Sequence, residues 1–140
     1  MINLNQNKYV NLLKLSSLVT ILTGVLSVLA SSPVTEKPWL LLLDLLDWPF
    51  DGNPSAFTKE SFILNAVLGG VMIGWGCLMF YVSDEIKKSP RLLRAMFVSL
   101  LCWFVTDSIG SFLSGVYGNI ILNIIFLSMF LYPLMKLRHS

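Results

Sequence analysis

Asp107 is the residue of this chain best placed to do chemistry, because it stands inside an apolar run, AMFVSLLCWFVTDSIGSFLSG, from Ala95 to Gly115. An ionised carboxylate inside hydrocarbon costs at least ~2.5–3.5 kcal/mol on insertion scales, so it must be paired, protonated or turned toward a cavity. Helical rise puts it about 12 Å below the Gly115 end of its run. Asn65 lies about 5 Å inside a second run, and Asn119 and Asn123 about 3 and 9 Å inside a third, by the same rise. Asn119 and Asn123 are four apart and share a helix face, as Asp107 and Ser111 do. Asp107, Asn65, Asn119, Asn123 and Ser111 therefore predict a shallow, outward-facing polar pocket for a small or lipidic ligand or a partner helix. The plainer reading of the same groups is interhelical hydrogen-bond glue, worth ~0.6–2 kcal/mol per contact.

Other chemistry lacks its residues. The single histidine, His139, stands beside the C-terminal residue, which excludes bis-histidine haem ligation within one chain and a His-rich metal site. Cys77 and Cys102 stand alone with no Cys-x-x-Cys and read as small apolar packing residues. No nucleophilic triad can be assembled with a histidine so far from Ser111 and Asp107. Asp44, Asp47 and Asp51 lead into Gly52-Asn53, but the alternating ligands of a Ca²⁺ loop are missing and Pro49 interrupts the stretch. These acids are expected to keep one face of a short helix in water. The expectation is a non-enzymatic protein without catalytic residues, metal or cofactor.

The elements that must position these groups follow from composition. Of 140 residues, 55% are hydrophobic and 13% charged, against roughly 25% charged in an ordinary soluble domain. Mean hydropathy is +0.73. The apolar residues gather into blocks at about 10–32, 62–82, 95–115 and 117–135, each near the ~20 residues that cross a bilayer as a helix. No polar stripe runs along them, as a soluble bundle would need. The fold class predicted is an all-α integral membrane four-helix bundle forming one domain, with no outer-membrane barrel and no nucleic-acid partner.

Charge assigns the sides. Lys8, Lys14, Lys87, Lys88, Arg91, Arg94, Lys136 and Arg138 fall on one side, and only Lys37 and Lys59 on the other. Eight against two places both termini in the cytoplasm of a multi-pass protein. The run after Lys8 and Lys14 also resembles a secretory signal ending at Val28-Leu29-Ala30, but it is long for one, and an uncleaved first helix is preferred. The Lys87–Arg94 cluster is a topology determinant that also suits anionic lipid.

Between the first two spans, residues 33–61 form the one long connection. Pro38 can open a helix and Pro49 stops it, giving an interfacial helix over 38–48 with Trp39 and Trp48 at its ends. Trp39, Trp48, Asp47 and Asp51 are expected to form a lid over the pocket. In the second span, Gly70 and Gly74 have small-xxx-small spacing and Gly69 and Gly76 stand seven apart. All four are read as helix-packing positions. A phosphate cradle would need a strand before this run and a lysine after it.

A span opening on Asn65 with Gly69-Gly70-Val-Met-Ile-Gly74-Trp75-Gly76, a basic loop, then Trp103-Phe-Val-Thr-Asp107-Ser108-Ile-Gly110-Ser111 resembles small four-helix bacterial inner-membrane proteins of uncharacterised function, in the DoxX-like grouping. The likeness covers Trp48 to Pro133. It implies a four-helix inner-membrane bundle and brings no catalytic residue with it. Two alternatives to ligand binding follow from the same residues. Asp107 could couple protons or cations in a small oligomeric carrier, or the glycine face could dock a structural subunit on another membrane protein or on a second copy.

Overall fold

The computed structural model describes residues 4–47, 51, 52, 54 and 56–138. Its elements are α1 (Leu4–Leu29), α2 (Lys37–Leu46), α3 (Lys59–Glu85), a 3-10 turn (Ile86–Lys88), α4 (Pro90–Ser114) and α5 (Tyr117–Arg138). No strand occurs among the described residues. Four helices are long and apolar enough to cross a membrane: α1, α3 with its turn, α4 and α5. The chain is thus an all-helical, multi-pass membrane protein. Trp48, Asn53 and His139 lie outside the described residues.

Helix ends are set by local chemistry. Thr58 Oγ1 accepts the Ser61 N–H at 3.4 Å to open α3, and Ser89 Oγ accepts the Leu92 N–H at 3.3 Å to open α4. Pro90, which has no N–H to leave unsatisfied, takes the first turn of α4. Pro38 does the same for α2. At the far end of α4, Gly115 adopts φ +80°, and the Val116 N–H reaches back to Ser111 O at 3.0 Å. That left-handed cap reverses the chain within two residues.

α1 and α5 are the central pair. α1 packs along α3 on one side and α5 on the other, while α4 packs along α5. The 3-10 turn joins α3 to α4, and Trp75 and Trp103 approach across that gap with ring centroids 5.7 Å apart. The end of the bundle that carries the start of α1, the 3-10 turn and the end of α5 is here called the terminal end. The other is the loop end. The four-helix core sits toward the terminal end, where Leu13, Met79, Ile86, Met96, Leu100, Phe130 and Leu134 are buried together.

In lipid, burying apolar side chains gains little, because acyl chains are as apolar as leucine, and close backbone packing takes over. That packing lies between α1 and α3. A Cβ added at Gly24 would stand 2.8 Å from Gly69 O, and one at Gly76 would stand 3.0 Å from Ser17 O. At Gly69 an added Cβ would meet Val28 N at 2.7 Å. Gly70 and Gly74 have no atom within 4 Å of an added Cβ and stay exposed. Within this chain, then, the helix contact uses Gly69 and Gly76, and the Gly70/Gly74 spacing faces outward.

Hydroxyls inside the bundle satisfy themselves where water cannot. Ser17 and Thr20 donate to the carbonyls one turn earlier, at 2.8 and 3.0 Å. Ser16 also crosses to α5 and donates to Met129 O at 2.9 Å. Pro133 explains that contact: it has no N–H, so the carbonyl four residues earlier, Met129, loses its helical donor. A neighbouring hydroxyl is the usual remedy in a membrane helix.

Candidate functional site

The tight Gly115-Val116 connection fixes the register of α4 against α5. Because the helices run antiparallel, Ser111 faces Asn119 and, one turn deeper, Ser108 faces Asn123. Asn119 Nδ2 donates to Ser111 Oγ at 2.8 Å and, over a longer 3.4 Å, to Asp107 Oδ2. Asn123 Nδ2 donates to Ser108 Oγ at 3.4 Å. Ser111 Oγ in turn donates to the Asp107 carbonyl at 2.8 Å. Ser111 and Asn123 are buried, while Asp107 and Asn119 are half-buried. Three of the five predicted pocket residues, Asp107, Ser111 and Asn119, are therefore joined by hydrogen bonds, and Asn123 forms the next rung of this polar ladder with Ser108.

Asp107 is the least satisfied member. The long contact from Asn119 is the only hydrogen bond to its carboxylate among the described residues. No basic side chain there pairs with it; the two ion pairs are Lys14–Asp84 at 2.7 Å and Lys88–Glu85 at 3.1 Å. A carboxylate can accept about four hydrogen bonds, so acceptor capacity remains for a donor or cation brought from outside the chain.

Asn65 is placed elsewhere. Its Nδ2 donates to Ala30 O at 3.3 Å, and its backbone carbonyl accepts from Ser27 Oγ at 2.9 Å. Ala30 directly follows α1, so Asn65 supplies a donor to one of the carbonyls that a helix end leaves open. No described hydrogen bond links Asn65 to Asp107. In this structure Asn65 fastens α3 to the end of α1.

Above the ladder, α2 seats its last residue on α5. A Cβ added at Gly118 would lie 2.8 Å from Leu46 Cα, so only glycine admits this approach. Gly118 immediately precedes Asn119, which brings α2 to the loop end of the polar ladder. Trp39 and Leu40 are buried beneath α2, Asp47 is exposed, and Asp44 Oδ2 accepts the Gly52 N–H at 2.9 Å. Asp51 is exposed. Among the described residues no three His, Cys, Asp or Glu side chains gather as metal ligands would.

Sequence reasoning passed over Leu46, Gly118 and Ser27. Gly118 carried a signal, a glycine one position before a polar residue at a helix start. Ser27 carried one too, because Ser17, Thr20, Gly24 and Ser27 repeat at helical spacing along α1. No protein-family model, curated protein or solved structure matches the chain.

Proposed function

We propose that this is a non-enzymatic integral membrane protein that binds a small or lipidic ligand at the α4–α5 polar ladder around Asp107. One observation carries the reading: an intramembrane carboxylate, half-exposed, with a single long hydrogen bond and no described cation. Asn119 orients it, Ser111 holds Asn119 in place, Asn123 continues the ladder one turn deeper, and α2 reaches the ladder's loop end through Leu46 on Gly118. The charge asymmetry orients the ladder outward with both termini cytoplasmic. The resemblance to small bacterial proteins favours an inner membrane.

An apolar carbodiimide tests this, since it modifies protonated carboxyls within membranes. Asp107 in native membranes is expected to react slowly while its ligand is seated, and faster after purification strips the ligand. Asp107→Asn should lose this modification entirely. Equal rates before and after stripping would contradict an occupied site.

A second reading, a structural subunit, draws on the exposed Gly70/Gly74 face. Small residues admit a close helix partner, here a span of another membrane protein. Gly74→Leu would then abolish co-purification of that partner while leaving the isolated chain folded.

A further inference from the structure

We infer that the terminal end carries a separate site for an anionic phospholipid, with the lipid phosphate held among Lys87, Arg94 and Arg138. These cations come from three elements, the 3-10 turn, α4 and α5, and they line one cleft of about 680 Å³. Ile86, Leu93, Phe97 and Leu137 give the same cleft an apolar wall beside these charges. A volume of this order accommodates a small-molecule ligand, typically ~300–1,000 Å³.

The electrostatics distinguish this cleft from a solvated basic loop. Eight basic residues lie toward this end but only two acids, Asp84 and Glu85. Both acids are already engaged, Asp84 with Lys14 and Glu85 with Lys88. Neither of those lysines lines the cleft, and no Asp or Glu does. Lys87 Nζ donates to the neutral Asn7 Oδ1, and Arg94 and Arg138 form no ion pair with a described residue. Three cations thus face one opening with no Asp or Glu among the described residues of its lining to offset them.

Position supplies the chemistry of the ligand. The cleft sits where α4 begins and α5 ends, at the edge of the apolar spans, the level at which a bilayer holds its phosphates. Guanidinium groups bind phosphate oxygens through paired N–H donors, and a lysine adds a point charge. Free phosphate would use the cations alone. A phospholipid also uses the apolar wall, where Phe97 and Leu137 can lie along the first acyl carbons. The site is independent of the Asp107 ladder, which belongs to the opposite half of the α4–α5 pair.

The test is native mass spectrometry of the full chain in detergent, titrated with dioctanoyl phosphatidylglycerol, dioctanoyl phosphatidylcholine or inorganic phosphate. Wild type is expected to retain one phosphatidylglycerol, with at least tenfold weaker retention of phosphatidylcholine. Arg94→Gln/Arg138→Gln should weaken phosphatidylglycerol retention by tenfold or more. Arg94→Lys/Arg138→Lys should recover most of it, showing that the glutamine variant fails for lack of charge and not of fold. Lys8→Gln/Lys88→Gln removes the same charge outside the cleft and should change retention less than twofold. Equal retention of the two lipids overturns the proposal. So does an equal loss in both glutamine variants, or displacement of phosphatidylglycerol by inorganic phosphate at equal concentration.

Discussion

Asn119 Nδ2 stands 2.8 Å from Ser111 Oγ but 3.4 Å from Asp107 Oδ2, so a single amide is shared unequally between a hydroxyl and a carboxylate one turn apart. The shorter bond fastens α5 to α4, and the longer one orients Asp107 while leaving most of its acceptor capacity unused. On the proposed reading, support and binding are thereby divided between neighbouring residues of one ladder.

Asn119→Ala should therefore destabilise the protein more than Asp107→Asn does. The alanine removes donors from two partners, at a cost of about 1 kcal/mol, the scale of interhelical hydrogen bonds in membranes. Asp107→Asn keeps the side chain's shape and should shift stability by less than ~0.6 kcal/mol, the average for such a bond. Unfolding in mixed micelles measures both.

The Ser16–Met129 contact predicts a coupled pair. Ser16→Ala leaves the Met129 carbonyl without a donor and should cost about 1 kcal/mol. In a Pro133→Ala background the restored N–H can satisfy that carbonyl, so the same serine substitution should cost clearly less. A double-mutant cycle reads the difference directly.

Glycines in one run should respond in opposite ways. Gly69→Ala and Gly76→Ala push a methyl into the α1 backbone, and overpacking of this kind costs roughly 1–3 kcal/mol. Gly70→Ala and Gly74→Ala meet open space in this chain and should be neutral or slightly stabilising, since alanine is the better helix former. Thermal unfolding of the four variants decides it.

Charge asymmetry predicts sidedness. A cysteine at exposed Asp51 should react with a membrane-impermeant maleimide added to intact cells, and one at exposed Asn7 should react only after lysis. Background from Cys77 and Cys102 is removed by serine substitution.

Depth was legible in the sequence, and neighbourhood was not. Counting residues from Gly115 puts Asp107 and Ser111 near the level of Asn119 and Asn123, and the tight turn makes α4 and α5 partners. Asn65 stands at a similar depth, but depth says nothing of which helix a side chain faces. It faces α1, where it closes the helix end at Ala30. The same gap separates Gly69 and Gly76 from Gly70 and Gly74. In a soluble helix the buried side is apolar and the other polar, so the pattern shows direction. In lipid both sides are apolar, and only small residues mark a contact. Two glycine spacings on one helix then compete. What decides between them is the matching small-residue row of Ser17, Gly24 and Ser27 on α1. Pro38 marked the first turn of α2, which ends at Leu46, whereas the glycine at 118 signals a close approach without saying that Leu46 is what approaches.

The most direct measurement compares the small molecules that stay bound to wild type, Asp107→Asn and Asp107→Glu when each is extracted mildly from its own membrane and weighed by native mass spectrometry. Wild type should carry a bound mass that Asp107→Asn loses and Asp107→Glu partly keeps. Lipid held through Arg94 and Arg138 should remain on all three. If all three carry the same bound molecules and differ only in unfolding stability, Asp107 is interhelical glue and the binding site is not there.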